Sequence, residues 1–411
     1  MITLGINSVY HESSAAIVKN GKILAAVEEE RFSRKKHAKP AQPNTADQLP
    51  VAAIAFCLQQ AGIDSEQLDA IAISFNPELR RQQFQLDPIS IDGGWGSKRG
   101  EDTFSQGLAN IPEQIGKCLG ENAPEKLYWL PHHLCHSASA FFPSPYREAA
   151  ILTIDGIAES ASTQLAMGDG NIIRPLKELD YPHSMGFLWE KFAEFLGFSE
   201  YDACKVMSMA SYGRATFMNE MRHIAQLTEQ DFAINHETVQ FRVPDYSRLE
   251  HHLGKRRLPN EPLEQRHFDI ACSLQAFTTG ALLTLIQDLY QRCPSQNLCL
   301  AGGVALNCAG NWTIQEKSPF PNLYIPAAPH DAGTAIGAAL QLEASSNGNR
   351  AAGQLNPYLG PDYGEGAIRN TIVGFGLTAQ KVEDPAQMVA QLIATGNIVG
   401  ERASDGIDIN L

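Results

Sequence analysis

The chain of 411 residues is longer than one hydrophobic core usually supports, so we expect two domains or one duplicated domain. It carries 32 basic and 46 acidic side chains, a formal net charge of -14, and the two signs are mostly interleaved. This balance argues against a nucleic-acid-binding surface.

The first 76 residues predict a sheet with one crossover helix. ITLGIN, SAAIVKN and KILAAVEEER have the composition of strands, and Asn20-Gly21 is typical of a tight hairpin turn between the second and the third. QLPVAAIAFCLQQAGI has the apolar spacing of a helix, and LDAIAISFN follows as a strand. A basic run within this segment is either a solvated face or an anion site, and its members are Arg31, Arg34, Lys35, Lys36 and His37.

A second run of strand, hairpin and helix follows an irregular segment. Residues 77–105 show no clear period and are rich in glycine and charge, so we expect a long excursion there. KLYWLPHH then leads through a short helix, residues 133–142, into the strand AAILTIDG, and GDGN marks a hairpin turn before NIIRPLKELDY. The pattern occurs around residues 2–76 and again around 149–198, which suggests two related halves of α/β structure.

The last third of the chain predicts a long helix, a strand pair and a linker. HFDIACSLQAFTTGALLTLIQDLYQRC has the pattern of a long amphipathic helix, and NLCLAGGVALN and NLYIP have that of strands. DAGTAIGAALQLEAS predicts a small-residue helix that can pack closely against a sheet. SSNGNRAAGQLNP, from Ser345, is polar and glycine-rich and is the best linker candidate.

The eight cysteines are scattered without a CxxC pair, which is typical of a reducing compartment rather than a disulfide framework. The N-terminus lacks the basic and apolar regions of a signal peptide. No uninterrupted apolar run approaches the length of a membrane span. We therefore predict a cytoplasmic protein that does not associate with a membrane.

A pair of histidines suggests a metal site. His132 and His136 are four residues apart, so on a helix they share one face and can converge on a single ion. The residue after His132 is His133, whereas an HExxH zinc-protease motif requires glutamate there. The pair directly precedes a buried strand that ends in Asp155, at a position where sites form. Each feature also has a plain alternative, because the histidines can be surface or capping residues and Asp155 can cap the next turn.

Three further positions suit a phosphate-bearing ligand, and each also has a purely structural interpretation. Asp331 begins a helix, either as an ordinary N-cap or as a carboxylate aimed at a metal-phosphate assembly. AGGVALN, residues 301–307, ends a strand with two glycines that either form a turn or let a ligand approach the backbone. His11, Ser13 and Ser14, in the first hairpin, either cradle a phosphate or form an ordinary polar turn.

Taken together and in this order, the motifs resemble those of the NodU/CmcH family of O-carbamoyltransferases. The matching segments extend to about Tyr363 and are LGINSVYHESSAAIVKNGKILAAVEEERFSRKKH, HHLCHSASAFFPSPYREAAILTIDG, KVMSMASYG, LAGGVALNCAGN, APHDAGTAIGAA and PYLGPDY. The resemblance implies duplicated ribonuclease-H-like mixed sheets flanked by helices, as in the actin/hexokinase/Hsp70 superfamily. It also implies a close relation to the threonylcarbamoyl-transferring Kae1 proteins.

The resemblance implies a domain organisation and an activity. A Kae1-like carbamoyl-transfer domain would occupy residues 1–345, in halves of about 1–148 and 149–345. A linker and the incomplete start of a YrdC-like domain would occupy residues 346–411. Family members convert carbamoyl phosphate and ATP to a carbamoyl-adenylate, and Mg²⁺ can accompany the ATP. They then pass the carbamoyl group to a hydroxyl of a small acceptor such as a sugar or an antibiotic.

The resemblance also implies ligands and roles for individual residues. A divalent metal, which could be iron, manganese or zinc, would be held by His132, His136, Asp155 and Asp331. Nucleotide contacts would come from Ser13, Ser14, Gly302, Gly303 and Asn307. We choose His11 as the acid-base or orienting group beside the carbamoyl carbon. Lys205, in CKVMSMASYG, would either meet an anionic phosphate or form a structural salt bridge.

The chain departs from the family pattern in two places. Glu12 follows His11, where the family commonly has aspartate. After Gly400 the sequence reads ERASDGIDINL, where the family continues through GPRALG into a YrdC-like domain, the place where carbamoyl phosphate would be activated. A truncated chain, a frameshifted gene or a split enzyme with a partner chain would each produce this ending.

Two alternative functions therefore remain. One is a catalytically incomplete nucleotide- and metal-binding module that needs a partner chain. The other is an ATP-dependent sugar kinase, which would give the histidine pair no role. The sequence does not indicate which acceptor is used.

Overall fold

The structure, a computed structural model, describes residues 1–120, 126–348, 350 and 356–400. The chain divides into two compact units, residues 1–355 and residues 356–411. Residues 351–355, which form most of the second half of the expected linker, and the final segment ERASDGIDINL lie outside the described residues.

Strands and helices alternate along the first unit, and the second unit contains two helices. The strands are β1 (Ile2–Asn7), β2 (Ser14–Lys19), β3 (Lys22–Glu28), β4 (Ala70–Ile73), β5 (Leu127–Trp129), β6 (Glu148–Ile154), β7 (Ala161–Asp169), β8 (Ile172–Asp180), β9 (Ala225–Leu227), β10 (Phe232–Ile234), β11 (Asn297–Ala301) and β12 (Asn322–Tyr324). The helices of the first unit are α1 (Glu30–Ser33), α2 (Val51–Ala61), α3 (Pro77–Gln83), α4 (Lys98–Leu119), α5 (His132–Phe141), α6 (Met185–Phe195), α7 (Ala203–Ala210), α8 (Met218–Ile224), α9 (His236–Val239), α10 (Ser247–Leu253), α11 (Gln265–Arg292), α12 (Cys308–Lys317) and α13 (Thr334–Asn347). Those of the second unit are α14 (Glu365–Gly374) and α15 (Pro385–Ala394).

Two five-stranded mixed sheets in the first unit share one topology. The first sheet has the strand order β3-β2-β1-β4-β5, and the second has the order β8-β7-β6-β11-β12. In each sheet the first three strands along the chain are antiparallel neighbours, and the last two run parallel to the strand at the centre. The predicted duplication of a ribonuclease-H-like mixed sheet is thereby confirmed.

Both predicted hairpin turns are present. Asn20 and Gly21 have φ angles of 52° and 78°, the left-handed conformation that an Asn-Gly turn adopts. The second turn joins β7 to β8 and includes Gly170, whose φ angle is 56°.

Buried apolar residues form a core around each sheet. The larger cluster includes residues of β6 and β11 together with α6, α7 and α11, and the other joins β1, β2 and β4 to α2 and α4. On the remaining faces, α13 packs against β1, β2 and β4, while α5 packs against β6, β7 and β11.

Helices α5 and α13 also pack against each other and so join the two halves. A Cβ atom at Gly337 would lie 1.8 Å from the carbonyl oxygen of Cys135, and one at Gly5 would lie 1.9 Å from that of Ala335. Only glycine permits these approaches, which explains the small-residue composition of α13. The prediction that this helix packs closely against a sheet is confirmed.

The prediction of an irregular excursion over residues 77–105 is wrong at both ends. Helix α3 begins at Pro77, where the side chain of Asn76 accepts hydrogen bonds from two backbone N–H groups. Helix α4 begins at Lys98, capped by Ser97, and buries an apolar stripe beyond the end of that segment. The sequence pattern hid α4 because glycines and Pro112 interrupt it.

Among the described residues, α11 is the one helix that is long and apolar enough, by length and composition alone, to cross a membrane. Its mean hydropathy reaches 1.4, but Leu274, Phe277 and Leu285 belong to its buried face in the larger core cluster. The long amphipathic helix that the sequence predicted is thereby confirmed.

Candidate metal centre and cleft

Four side chains from both halves of the first unit converge on one point. His132 and His136 lie in α5, Asp155 follows β6, and Asp331 begins the turn that leads into α13. Each imidazole Nε2 lies 3.4 Å from Oδ2 of Asp155, and the two lie 3.4 and 3.3 Å from Oδ1 of Asp331. One ligand atom from each residue lies within 4.8 Å of the others, and all four residues are buried.

Backbone carbonyl groups orient the two imidazoles. His132 Nδ1 lies 2.9 Å from the oxygen of Ser74, and His136 Nδ1 lies 3.1 Å from that of Pro329. A carbonyl oxygen can only accept a hydrogen bond, so each Nδ1 carries the proton and each Nε2 directs its lone pair at the carboxylates. This is the arrangement by which metal-binding histidines are usually oriented.

The four groups fit a divalent cation. Both Nε2 atoms are buried without a hydrogen-bond partner among the described residues. Burial alone would raise the pKa of Asp155 and lower that of His132, but the pairing outweighs it, so the pKa of Asp155 falls well below its usual value and that of His132 rises well above. The raised pKa shows that the two carboxylates favour a positive charge at this point. A divalent cation with nitrogen and oxygen ligands would supply that charge in place of the protons, with both imidazoles neutral.

His133 lies outside this arrangement. Its side chain borders a different cavity, of about 400 Å³, together with Leu79, Gln164 and Glu178. Burial lowers the pKa of His133 to about 3, so its ring is neutral.

The two carboxylates of the candidate metal site, Asp155 and Asp331, form part of the wall of a larger cleft of about 630 Å³. Of the residues that the sequence singled out, the cleft is also lined by His11, Ser13, Gly303 and Asn307. Nδ1 of His11 and Oγ of Ser13 are buried and have no hydrogen-bond partner in the described part of the chain. Ser14 has a structural contact instead, since its hydroxyl donates to the carbonyl oxygen of Ala332 at 2.8 Å.

The glycine pair after β11 holds Asp155 in place. Gly302 has a φ angle of 89°, and a Cβ atom there would lie 2.1 Å from the oxygen of Ile154, so this position requires glycine. The N–H of Gly303 donates to Oδ1 of Asp155 at 3.1 Å. The side chain of Asn307 caps α12 and exchanges hydrogen bonds with Gln275.

Asp331 is not the cap of its turn. That role belongs to His330, whose Nδ1 lies 3.2 Å from the backbone N–H of Ala332. The same Nδ1 lies 2.9 Å from Oε2 of Glu12, so it caps when neutral and pairs with the carboxylate when protonated. The carboxylate of Asp331 is therefore free to face the two histidines.

Lys205 lies in a surface salt bridge. Its ammonium is 2.9 Å from Oδ1 of Asp202, its side chain is 55% exposed, and it is not among the residues that line the cleft. This is the structural alternative that the sequence left open.

Glu12, which the sequence analysis noted only as a departure from the family pattern, is central to a second polar cluster in the cleft. Its carboxylate lies 3.3 Å from Nδ1 of His37 in addition to its contact with His330. Burial would raise the pKa of Glu12, but these two imidazoles hold it well below its usual value. The basic run is divided accordingly, since Arg31, Lys36 and His37 line the cleft while Arg34 and Lys35 are exposed.

Comparisons with known proteins place these observations in context. The family model described as "Carbamoyltransferase N-terminus" matches residues 2–340. The uncharacterized protein sll1178 of Synechocystis is 34% identical over 97% of this chain and 67% of its own length. The nodulation protein NolNO of Sinorhizobium fredii is 29% identical over 96% of this chain and 56% of its own. NolO of Bradyrhizobium diazoefficiens is 30% identical over 66% of this chain and 49% of its own.

The chain thus spans between about half and two thirds of the length of these curated relatives. Among solved structures, the activator of the 2-hydroxyisocaproyl-CoA dehydratase from Clostridium difficile with bound ADPNP is 16% identical, with a TM-score of 0.43 and coverage of 84% of this chain and 95% of that one. HypF of T. kodakarensis is 13% identical, with a TM-score of 0.42 and coverage of 85% and 48%.

Proposed function

This chain belongs to the carbamoyltransferase family, and we propose that it transfers a carbamoyl group from carbamoyl phosphate, through a carbamoyl-adenylate formed with ATP, to a hydroxyl of a small acceptor. The observation that carries the proposal is the convergence of two imidazoles and two carboxylates on one point, with both carboxylates, Asp155 and Asp331, in the wall of the cleft. His11 and Ser13 present unpaired polar atoms in that same cleft.

The proposed metal ligands are His132, His136, Asp155 and Asp331. A divalent ion bound there, whether iron, manganese or zinc, would neutralise negative charge that develops on the carbamoyl and phosphate oxygens. Mg²⁺ would accompany ATP. The carbonyl groups of Ser74 and Pro329 would keep both imidazoles in the ligating tautomer throughout.

Polar groups of the first hairpin would bind and orient the donor. The Ser13 hydroxyl is positioned to donate a hydrogen bond to a phosphate oxygen. Burial lowers the pKa of His11, but Asp331 and Glu12 outweigh it and raise the pKa above its usual value. The His11 imidazolium can therefore donate to the carbamoyl oxygen and orient the carbon for attack.

The remaining nucleotide contacts are proposed with more specific tasks. Gly303 would let the nucleotide approach the backbone beside Asp155, and Asn307 would line its site from the start of α12. Gly302 and Ser14 would help to shape the nucleotide site through the position of their backbone, because Gly302 packs against Ile154 and the Ser14 hydroxyl is bonded to Ala332. Lys205 remains a proposed phosphate contact. To reach a phosphate, its ammonium group would have to break the salt bridge with Asp202.

We also propose the domain assignment that the sequence suggested. Residues 1–345 would carry the transfer site, and residues 346–411 would include the start of a YrdC-like domain. The protein would act in the cytoplasm, with neither nucleic acid nor a membrane as a partner.

A second candidate is a nucleotide- and metal-binding module that needs a partner chain for activation of carbamoyl phosphate. The observation that favours it is that the chain spans only about half to two thirds of its curated relatives. A sugar kinase is less well supported, because phosphoryl transfer to a sugar gives the two histidines of the metal centre no task.

One experiment separates the three. The protein is incubated with Mn²⁺, ATP and carbamoyl phosphate, and pyrophosphate is measured. We expect release that depends on carbamoyl phosphate. Bound Mn²⁺, measured in the same samples, should be lost in Asp331→Asn and retained in Asp169→Asn, an exposed residue at the end of β7. Nucleotide binding without pyrophosphate would favour the module, and ADP formation that depends on an added sugar would favour the kinase.

A further inference from the structure

The start of helix α6 packs against the end of β6, where the proposed metal ligand Asp155 lies. The N–H of Gly186 donates to the carbonyl oxygen of Asp155 at 3.3 Å. A Cβ atom at Gly186 would lie 2.6 Å from the backbone nitrogen of Gly156, and a Cβ atom at Gly156 would lie 3.1 Å from the ring of Phe187. The first turn of α6 therefore lies directly beside the metal centre.

One turn further along α6, Glu190 faces the same cleft. It is on the side of the helix that carries Phe187, since residues three apart are neighbours on a helix surface. In the described part of the chain its carboxyl group has neither a hydrogen bond nor an ion pair. Burial raises the pKa of Glu190 to about 8, so at pH 7 the group is mostly neutral and can donate a hydrogen bond.

The guanidinium group of Arg242 lies against the same aromatic residues. Its central carbon is 4.5 Å from the ring centroid of Phe187 and 5.0 Å from that of Tyr181. Its Nε is buried and has no hydrogen-bond partner among the described residues. The aromatic rings hold the guanidinium by cation–π contacts but do not neutralise its charge.

Two other cations of the cleft wall, Arg80 and Lys191, already have hydrogen-bond partners. Arg80 makes two hydrogen bonds to Glu101 and a third to the carbonyl oxygen of Glu159. Lys191 donates to the carbonyl oxygens of Gln240 and Val243, at 3.2 and 2.7 Å. Among the described residues, the side-chain partners of Arg242 are aromatic, including a hydrogen-bond contact with Tyr181, and none is a carboxylate. Its charge is therefore available to an anionic ligand in this part of the cleft.

We propose that Glu190 and Arg242 form the acceptor subsite, and that the acceptor is a hydroxylated acid. Arg242 would pair with its carboxylate or phosphate, and Glu190 would hydrogen-bond a hydroxyl group near the metal centre. A guanidinium fork matches the oxygens of such anions in a way that a neutral polyol does not. This inference rests on the proposed function, which requires an acceptor hydroxyl in the cleft.

The phosphates of the nucleotide are also anions that a guanidinium could bind, so the test includes an acid of the acceptor class and a nucleotide. Gluconate, a polyhydroxy acid, and sorbitol, its neutral counterpart, are titrated into the protein at pH 7, with the fluorescence of Trp95 and Trp189 in the cleft wall as the signal. We expect saturable binding of gluconate at least about ten-fold tighter than that of sorbitol, the equivalent of one charge-assisted hydrogen bond.

Variants assign the difference to Arg242. Arg242→Ala should bind gluconate at least about ten-fold more weakly, and Arg242→Lys should lie between it and the parent chain. Arg248→Ala, in α10 and half-exposed, is the matched control and should bind as the parent does. The same variants are titrated with ADP and Mn²⁺, which should bind equally to all of them and so show that each is folded.

Equal affinity for gluconate and sorbitol, or failure of both to bind a chain that binds ADP, would overturn the inference. A loss of ADP affinity in Arg242→Ala that matches its loss for gluconate would also overturn it, since Arg242 would then serve the nucleotide. Failure of pyrophosphate release, by contrast, would refute the proposed function and leave the gluconate result standing.

Discussion

Nε2 of His132 lies 3.4 Å from Oδ1 of Asp331, although the helix that begins at His132 packs on the second sheet and the helix that follows Asp331 packs on the first. The candidate metal centre therefore depends on contact between two helices that pack on different sheets.

Substitutions in the histidine cluster should separate ligands from their neighbour. We expect His132→Ala and His136→Ala to lose bound metal, because each removes an Nε2 directed at Asp155 and Asp331. His133→Ala should retain metal, since its ring borders a different cavity. Elemental analysis after loading with Mn²⁺ measures all three, and equal loss in the three variants would contradict the assignment.

The approach of α13 to α5 should tolerate no added side chain. Gly337→Ala would place a methyl group 1.8 Å from the oxygen of Cys135, so we expect it to lower the free energy of unfolding by about 1–3 kcal/mol and to weaken metal binding. Gly116→Ala, in α4, meets nothing within 4 Å and should be neutral or stabilise by about 0.5–1 kcal/mol. Urea unfolding of both variants makes the comparison, and similar losses would argue against close helix contact.

Glu12 should stabilise the loop that precedes α13. Replacing it by glutamine removes a charge that lies beside His330 and His37, so we expect Glu12→Gln to lower the free energy of unfolding by about 1–3 kcal/mol at pH 7. Glu229→Gln, on an exposed loop, should change it by less than about 0.5 kcal/mol. If the two variants unfold at the same urea concentration, the cluster around Glu12 does not contribute to stability.

Gluconate binding should weaken above pH 8. The pKa of Glu190 is raised to about 8 by burial, so the group is neutral below that pH and becomes a carboxylate that repels an anion above it. Nearby charges are those of His11, Arg242, Asp155 and Glu200.

A second group of the cleft wall titrates in the same range and must be separated. Burial lowers the pKa of Lys191 to about 8, and its loss of charge would also weaken anion binding. Glu190→Gln keeps Lys191 and removes the carboxyl group, so its gluconate affinity should fall less steeply between pH 7 and 9 than that of the parent chain. Identical pH profiles would exclude Glu190 and assign the effect to the cations of the cleft wall that lose charge in this range, which are Lys191 and His330, whose pKa is raised to about 9.

Much of the fold could be predicted because local patterns determine it. Alternating apolar residues and Asn20-Gly21 identify the first hairpin, and the repeat of that pattern identifies the second half. Helix α4 was missed because its apolar stripe is interrupted by Pro112 and by several glycines. The apolar side of α4 is buried because it packs against the first sheet. The residues of that sheet are distant in the sequence, so a short stretch of sequence does not reveal the contact.

The metal centre was predictable in part. The four-residue spacing of His132 and His136 indicates a shared helix face, but only the family resemblance connects them to Asp155 and Asp331. His330, Glu190 and Arg242 gave no signal, because the folded cleft brings together segments that are far apart in the chain. The one local pattern that could have indicated Glu190 is a charged residue directly after the apolar run FLW.

Helices α5 and α13 exchange sides between the two halves of the first unit. A fragment ending near residue 148 would contain the first sheet without α13, which packs on it. It would also contain α5 without the second sheet, on which α5 packs. Neither half therefore has a complete core by itself, and we expect the two halves to fold together. The same crossing fixes the distance between the imidazoles of α5 and the carboxylate of Asp331, so a change in the packing of the two helices would pull the four candidate ligands apart.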